Sequence, residues 1–507
     1  MAGFGPMRVD CSGMFEIIPR FDARSLKPED LRLLEILAFV GPGLPEEIVK
    51  ALAIQILSTE GSYDEAAYTT ARDALAAQPL IVFDGPKRKL GIIEDLQDQI
   101  IATLDDAKKK RFFQAVTRKI WSEWPAGLPP PSRTPVLPEP KTRSSRLLVS
   151  RWSDCKDLQH TVNRLEKLYS AIAHSLSDEE TLLFGRLLLE GAWFQIERGL
   201  CTKSISCLMT AHGIAAGHKD ADAFVADVCF CLGVFAMESN DFGPSRACKE
   251  QSFDVVSEIC AALGGVEDER LSVAYAERGV SRIQDGRPEE GVADMAASIR
   301  IMEQLHSSGD GGGGGAYVPG AREANMAWGL LAQGLLDECD ALLAKSLAAR
   351  KALGDGAGDG ESIATGLLLS AVAALRAEQG NMDDSFAHHQ RAFDYLRGVV
   401  GVRDPCTARV AHKLAEHYLR MRRPEDARIL INDALNAWSV DPIANRSEEA
   451  RTTYLMSQAV ATLGRAETAA KLRRKAITLY NAITHENKDM DTISAADFNS
   501  LVPFWSQ

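Results

Sequence analysis

The residues whose types and spacing could do chemistry are two histidine-containing stretches in the C-terminal half. His412 and Glu416 stand four residues apart with His417 directly after them, and Asp384 and His388 form a second pair. Residues four apart share one face of an α-helix, so either pair could supply two ligands to zinc. A zinc site needs a third ligand, and the His-Glu-x-x-His order of zinc hydrolases is absent. We therefore predict no metal site, no cofactor and no catalytic residue, and we interpret both stretches as polar helix faces.

Two glycine-rich stretches, 307–320 and 354–360, raise the possibility of a phosphate-binding loop. A Walker A motif requires Gly-Lys followed by Ser or Thr, and the dipeptide Gly-Lys occurs nowhere in the 507 residues. A Gly-x-Ser-x-Gly nucleophile elbow is also absent. The sequence therefore predicts a protein that is not an enzyme and does not bind nucleotide, with the glycine runs as loops between helices.

The composition is that of an ordinary folded protein. Apolar residues make up 46% of the chain and charged residues 25%, and no run of about 18 apolar residues offers a membrane span. The ten cysteines lack zinc or disulfide spacing, which favours free thiols in a reducing compartment. The first residues lack the apolar segment of a secretion signal. We expect a cytoplasmic protein with no membrane partner.

A repeating helical pattern organises the chain beyond the proline-rich stretch. Apolar residues recur at spacings of three and four, and turn residues interrupt them at intervals of 41 to 48 residues. A period in the forties with two helices per unit is typical of an α-solenoid. The seven turn residues are Gly199, Asn240, Gly286, Gly334, Gly380, Arg422 and Gly464. The predicted fold class is therefore all-α, with a solenoid of about seven helix pairs.

The clearest repeat, Ala408–Leu435, carries small and bulky residues at fixed offsets. Leu414, Ala415 and Tyr418 lie on its first helix, and Ala427 and Ile431 are among those on its second. This repeat resembles a tetratricopeptide repeat, and the loop GVRDPCTA before it resembles the loops of kinesin-light-chain-type repeats. The resemblance implies a tetratricopeptide-type solenoid that binds other proteins.

The N-terminal part predicts a second, smaller domain. Ser25–Leu52 indicates two helices, Tyr63–Ala77 a third, and Pro79–Ile101 a two-stranded wing running into a helix. This is a winged-helix layout, and with the stretch Trp152–Val162 it resembles the winged-helix and repeat half of fungal NB-ARC (STAND, NOD-like) proteins. The resemblance implies a sensor half that lacks the nucleotide-binding module.

Composition breaks set the predicted boundaries. Six prolines between Leu128 and Pro140 indicate a semi-rigid linker. The predicted segments are an N-terminal extension at 1–24, a winged-helix-like domain at 25–127, the linker at 128–145, the repeat solenoid at 146–485 and a C-terminal tail at 486–507.

The resemblance to tetratricopeptide proteins implies a binding surface on the concave face of the solenoid. The groove candidates carried over to this sequence are Arg409, His412, Glu416, Arg420, Arg451, Tyr454 and Gln458. Between residues 401 and 480 there are fourteen Lys or Arg against nine Asp or Glu. An aromatic residue between guanidinium groups suits an acidic peptide or a carboxylate, although a solvated cationic face is the alternative interpretation. We predict a protein or peptide partner of acidic character, and we expect Arg409→Glu with Arg420→Glu to abolish binding without changing the melting temperature.

Two other function classes remain open at this stage. The predicted winged helix could bind DNA through Lys87, Arg88 and Lys89 in the wing and through Lys108–Arg111 further on, but the predicted recognition helix near Tyr63–Ala77 is acidic. The net charge of −13 also disfavours a nucleic-acid partner. An enzyme or accessory factor built on a helical solenoid is the second alternative. An interaction scaffold or adaptor is the leading hypothesis.

Overall fold

The computed structural model describes most of the chain and divides it into two compact units. The described residues are 26–58, 63–78, 80–92, 94–129, 142–143, 149–218, 222–308, 317–352 and 362–507. Unit 1 comprises residues 1–120 and 157–175, and unit 2 comprises residues 121–156 and 176–507.

Unit 1 contains helices and a small antiparallel sheet. In chain order, its first five helices are α1 (Pro28–Leu37), α2 (Glu46–Leu57), α3 (Glu65–Ala77), α4 (Glu94–Thr103) and α5 (Asp106–Glu123). Its strands are β1 (Leu44–Pro45), β2 (Val82–Asp84) and β3 (Lys89–Gly91). The sheet order is β1-β3-β2, with Leu44 opposite Leu90 and Phe83 opposite Leu90 on the other side. The three predicted helices and the two-stranded hairpin are present, and β1 is an additional strand.

Local sequence explains where these helices start. Pro28 occupies the first turn of α1, where its missing N–H costs nothing. The Asp64 carboxylate accepts the N–H of Ala67 at 2.9 Å and so caps α3. A core of leucine and isoleucine side chains on α1 and an edge-to-face contact of Phe39 with Phe112 (5.6 Å between ring centroids) hold the unit together.

Unit 2 is a solenoid of helix pairs. The chain enters it at the end of α5, forms the short parallel strands β4 (Pro125–Ala126) and β5 (Thr142–Arg143), and continues through α6 (Trp152–Ile172), which extends into unit 1. The seven pairs are α7 (Asp178–Glu197) with α8 (Cys201–Gly217), α9 (Asp222–Glu238) with α10 (Phe242–Ala262), α11 (Glu269–Gln284) with α12 (Pro288–Ser308), α13 (Ala321–Ala332) with α14 (Leu336–Ala352), α15 (Ala364–Glu378) with α16 (Met382–Val399), α17 (Pro405–Arg420) with α18 (Pro424–Trp438), and α19 (Arg446–Thr462) with α20 (Ala466–Thr484). The short helix α21 (Ala495–Asn499) and a 3₁₀ turn at Phe504–Ser506 follow. The predicted all-α solenoid of seven pairs is confirmed.

Each of the seven predicted turn residues ends the first helix of a pair in a left-handed conformation. Their φ angles lie between 57° at Arg422 and 77° at Gly380 and Gly464. At Gly380 the turn is closed by the Gly380 N–H on the Ala377 carbonyl (2.9 Å) and by the Asn381 N–H on the Arg376 carbonyl (2.8 Å). A left-handed residue reverses the chain and satisfies the last carbonyls of the helix, which explains why glycine marks the period.

We expect Gly380→Ala to lower the free energy of unfolding by about 1 kcal/mol, because an L-residue pays for φ 77°. No atom lies within 4 Å of the added methyl group, so the change reports the backbone alone. Gly398→Ala is the matched control, since Gly398 is helical and equally open. That control should raise stability by about 0.5–1 kcal/mol. Urea denaturation followed by circular dichroism measures both, and equal signs of the two changes would contradict the argument.

The predicted linker and loops lie largely outside the described residues. Leu128, the first linker residue, is buried and donates its N–H to Glu190 at 3.1 Å, while residues 130–141 are not described. The two glycine-rich stretches fall between helix pairs, and 309–316 and 353–361 are not described.

The segment set apart in the sequence as a C-terminal tail, 486–507, packs on the last helix pair. Phe498, Leu501 and Val502 are buried with Tyr480 and Ala450 in one apolar cluster. This cluster covers the end of the solenoid, where the next pair would otherwise bury the apolar face.

Candidate functional site

The first helices of several pairs approach one another across unit 2, and we call the surface they share the inner face. We define it by Glu238 of α9, Gln284 of α11, Met326 of α13, Arg409 of α17 and Arg451 of α19. The inner face forms because helix pairs that are far apart in the sequence contact one another. The Thr202 N–H at the start of α8 donates to Asp441 after α18 at 2.7 Å, although 239 residues separate them.

An ion cluster occupies the part of the inner face where the sequence predicted a cationic groove. Arg409 donates to Glu238 at 2.7 Å, and its Nε lies 3.6 Å from Glu448. Arg451 lies 3.4 Å from the other oxygen of Glu448 and donates to the backbone carbonyl of Ser506. Glu448 and Arg451 are only 1% and 3% exposed. The two arginines are therefore matched by two glutamates of the same chain.

His412 and Glu416 are brought together as their spacing predicted. His412 Nε2 lies 3.3 Å from Glu416, and its Nδ1 lies 3.1 Å from Thr452 Oγ1. Burial, aided by Arg451, lowers the pKa of His412 to about 4, so the ring is neutral at pH 7. Burial acts to raise the pKa of Glu416, but Lys413 and His412 outweigh it and hold that pKa well below its usual range. A neutral imidazole between a hydroxyl and a carboxylate fixes the packing of α17 on α19.

The remaining groove candidates are scattered. Tyr454 stacks on Phe498 with ring centroids 4.5 Å apart, so the 486–507 segment covers one of its faces. Arg420 is exposed near the end of α17, where its Nη1 lies 3.2 Å from His417 Nδ1. Gln458 is exposed on α19. The structure thus gathers Arg409, His412, Glu416 and Arg451 on or near the inner face. Tyr454 packs on the apolar cluster at the end of the solenoid, while Arg420 and Gln458 are solvent-facing.

A buried histidine pair, which the sequence analysis missed, links the fifth and sixth helix pairs. His389 Nδ1 lies 3.1 Å from His417 Nε2, and Ser385 Oγ lies 3.3 Å from the same nitrogen. Burial lowers the pKa of His389 to about 3 and that of His417 to about 4, the neighbouring His417 and Arg420 adding to the effect. The Asp384 carboxylate, which the sequence places four residues from His388, accepts a hydrogen bond from the side-chain amide of Asn381 at 2.6 Å. The signal available in the sequence was the 28-residue separation of two histidines on adjacent first and second helices.

The end of the 486–507 segment lies on the inner face itself. The Phe504 N–H donates to Gln284 Oε1 at 2.9 Å, and Arg451 binds the carbonyl of Ser506. Phe504 and Trp505 pack against a cluster of buried side chains on the second and third helix pairs. Its members are Met237, Ala276, Val280 and Met295, with Phe242 and Met326 at its edge. The 3₁₀ turn Phe504–Ser506 of the chain's own 486–507 segment therefore already occupies this surface.

The basic residues of the β2–β3 hairpin in unit 1 are all engaged by carboxylates. Arg88 lies 2.7 Å from Glu47, Lys87 lies 3.2 Å from Asp84, and Lys89 pairs with Asp157. The neighbouring carboxylates lower the net positive charge that the hairpin offers to a phosphate backbone. This charge balance does not favour the DNA-binding alternative.

The described ranges of the chain hold no group of three or more His, Cys, Asp or Glu side chains arranged to bind a metal ion. Within the same ranges, every helix is too short or too polar to cross a bilayer.

The comparisons with known proteins agree with the fold. A tetratricopeptide repeat family model matches residues 362–439, which span α15 to α18 and include the repeat singled out above. No curated protein matches this sequence.

Solved structures similar to this one are distant. A STAND protein with a tetratricopeptide repeat sensor from Pyrococcus horikoshii is 13% identical with a TM-score of 0.40, and the match covers 91% of this chain but only 65% of that one. The apo form of the quorum sensor NprR from B. thuringiensis is 12% identical with a TM-score of 0.38, covering 66% of this chain and 97% of NprR. NprR in complex with its cognate peptide NprX is 11% identical with a TM-score of 0.42, covering 69% and 96%.

Proposed function

We propose that the chain is a non-catalytic interaction scaffold that receives a short segment of another protein on the inner face of its solenoid. The observation that carries this proposal is the seat of residues 503–507 on that face. Gln284 and Arg451 hold the backbone of the segment, and a cluster of methionine and aliphatic side chains holds its aromatic rings. Backbone contacts give affinity and side-chain pockets give specificity in peptide recognition of this kind.

The charge balance of the inner face bears on the chemistry of the partner. Glu238 and Glu448 already neutralise Arg409 and Arg451. An acidic peptide would have to break those ion pairs, and its own carboxylates would meet two glutamates. The proposal therefore departs from the acidic partner expected from the sequence and favours an apolar one.

The absence of catalysis is part of the proposal. It rests on the sequence, where Gly-Lys does not occur, and on the use of the buried polar groups in structural pairs such as His412 with Thr452. The cytoplasmic location remains a prediction from composition.

We further propose that unit 1 is a winged helix and that the chain corresponds to the sensor half of a STAND-type protein without its nucleotide-binding module. The order helix–strand–helix–helix–strand–strand supports the first part. The sequence resemblance to fungal NB-ARC proteins supports the second.

Site-specific photocrosslinking tests the scaffold proposal. We expect p-benzoylphenylalanine at Met326, on the inner face, to give a discrete higher-mass adduct in native extract. The matched control carries the crosslinker at Ile429, which is 56% exposed on α18, a second helix away from the inner face. Mass spectrometry of the adduct identifies the partner. Equal adducts at both positions, or none with another protein at Met326, would refute partner binding on the inner face.

A further inference from the structure

The 486–507 segment has two parts with different environments. Phe498, Leu501 and Val502 are buried on α19 and α20 and belong to the core of the solenoid end. Phe504 and Trp505 are only half-buried, and they pack against residues of earlier helix pairs, on α11 and α13 among others. The first part anchors the segment, and the second part lies on the inner face as a ligand would.

The surface under the two aromatic rings is rich in methionine. Met237 and Met295 belong to the buried cluster there, and Met326 packs against the same cluster as Phe504 and Trp505 do. Methionine side chains are flexible and polarisable, make favourable contacts with aromatic rings, and are common on surfaces that accept more than one ligand. The two rings also contact each other edge-to-face with centroids 4.7 Å apart, so they present one compact apolar unit.

The polar contact between the segment and the ion cluster is small. Arg451 donates to the backbone carbonyl of Ser506, while Glu448 is ion-paired with Arg409 and Arg451 rather than with the segment. The ion pairs between Glu448 and the two arginines therefore do not depend on the segment, and its displacement leaves them in place.

We propose that residues 503–507 act as an internal competitor for the inner face, and that the natural partner is a short peptide with two adjacent aromatic residues of the Phe-Trp type. The proposal rests on the scaffold function proposed above. The anchor at Phe498 keeps the competitor close to its site, and a tether of a few residues gives an effective concentration in the millimolar range. A partner displaces the two rings while the anchor keeps the end of the solenoid covered.

The test uses the full chain and a fluorescein-labelled synthetic peptide, Leu-Val-Pro-Phe-Trp-Ser-Gln, which repeats residues 501–507. We expect Phe504→Ala with Trp505→Ala to free the pocket, so that fluorescence anisotropy shows at least about ten-fold tighter binding than to the unmodified chain. Adding Met326→Glu to that variant should abolish binding. A peptide with both aromatic residues replaced by alanine should bind neither chain.

Gln507→Ala is the matched control, because Gln507 is exposed in the same segment, and it should bind the peptide no better than the unmodified chain. If the double variant fails to fold, Trp505→Ala alone, which alters the segment and leaves the residues of the pocket unchanged, should still tighten peptide binding. Equal affinity of the unmodified chain and the variants, or no binding by folded variants, overturns the inference and leaves the segment a structural cover. A crosslinked partner at Met326 in that case would keep the scaffold function.

Discussion

Replacing Arg409 with glutamate is expected to lower the free energy of unfolding of unit 2 by about 3–5 kcal/mol, the usual cost of removing one member of a buried ion pair. Arg409 is 12% exposed and bridges Glu238 of α9 and Glu448 of α19. Burial alone would lower the pKa of Arg409, but Glu238 and Glu448 outweigh it and raise that pKa, so the guanidinium stays charged. The substitution removes this charge and places a third carboxylate beside two others. Urea denaturation followed by circular dichroism gives the loss as a shift of the midpoint.

Arg420→Glu is the matched control for this prediction. It makes the same charge change on the same helix at an exposed position, so stability should change by no more than about 0.5 kcal/mol. Glu238→Arg combined with Arg409→Glu restores opposite charges and should recover part of the loss. Equal midpoints for the Arg409 and Arg420 variants would show that the ion cluster does not stabilise the solenoid. The sequence had led us to expect unchanged melting for both substitutions, and the structure changes that expectation for Arg409.

The periodic part of the fold could be predicted because its information is local. A left-handed residue that ends a helix is almost always glycine or asparagine, so Gly334, Gly380 and Gly464 marked the period on their own. Arg422 could be recognised as a turn residue only from its spacing to the neighbouring turns. Its φ of 57° shows the same left-handed turn, formed here by a residue that adopts this conformation less readily than glycine. Helix pairs joined by such turns bury an apolar face against the next pair, so seven in phase imply a solenoid.

The partners of the inner-face residues could not be predicted in the same way. Helical spacing correctly brought His412 to Glu416. The carboxylate that neutralises Arg409 comes from Glu238, 171 residues earlier in the sequence. Repeat phase describes contacts between neighbouring pairs, and it carries no signal for the contact of the second pair with the sixth. The sequence between 401 and 480 therefore predicts an unpaired cationic surface, although Glu238 and Glu448 neutralise two of its arginines in the structure.

The contacts of the 486–507 segment could not be predicted from the sequence for a related reason. It contains one helix of five residues and no repeat period, so it appeared as a tail. Its two aromatic residues, Phe504 and Trp505, were the available clue, because adjacent large rings in a polar tail have to find an apolar surface. The surface they find is formed by helices of the second to fourth pairs, and Phe504 is bound there to Gln284, 220 residues earlier in the sequence.

The buried pair of His389 and His417 makes the free energy of unfolding depend on pH. Burial depresses the pKa of His389 to about 3 and that of His417 to about 4, both below the ordinary histidine pKa of about 6.5. At pH values between these folded-state pKa values and about 6.5, the unfolded chain binds more protons than the folded chain. The free energy of unfolding therefore falls as the pH drops below about 6.5. One pKa unit corresponds to about 1.36 kcal/mol, so His389 should contribute a loss on the order of 2 kcal/mol at pH 5. The facing charges, Lys413, Glu416 and Arg420, do not reverse this direction.

The comparison of two pH series isolates this effect, because Asp404 acts in the opposite sense. Burial raises the pKa of Asp404 to about 6, so its protonation favours the folded state as the pH falls. We expect the stability difference between the unmodified chain and His389→Gln to shift by about 2 kcal/mol in favour of the variant between pH 7.5 and pH 5. His212→Gln, at an exposed position on α8, is the matched control and should give a curve parallel to that of the unmodified chain. A parallel curve for His389→Gln as well would mean that the buried pair does not resist protonation, and that the contact between α16 and α17 opens to water in the folded state.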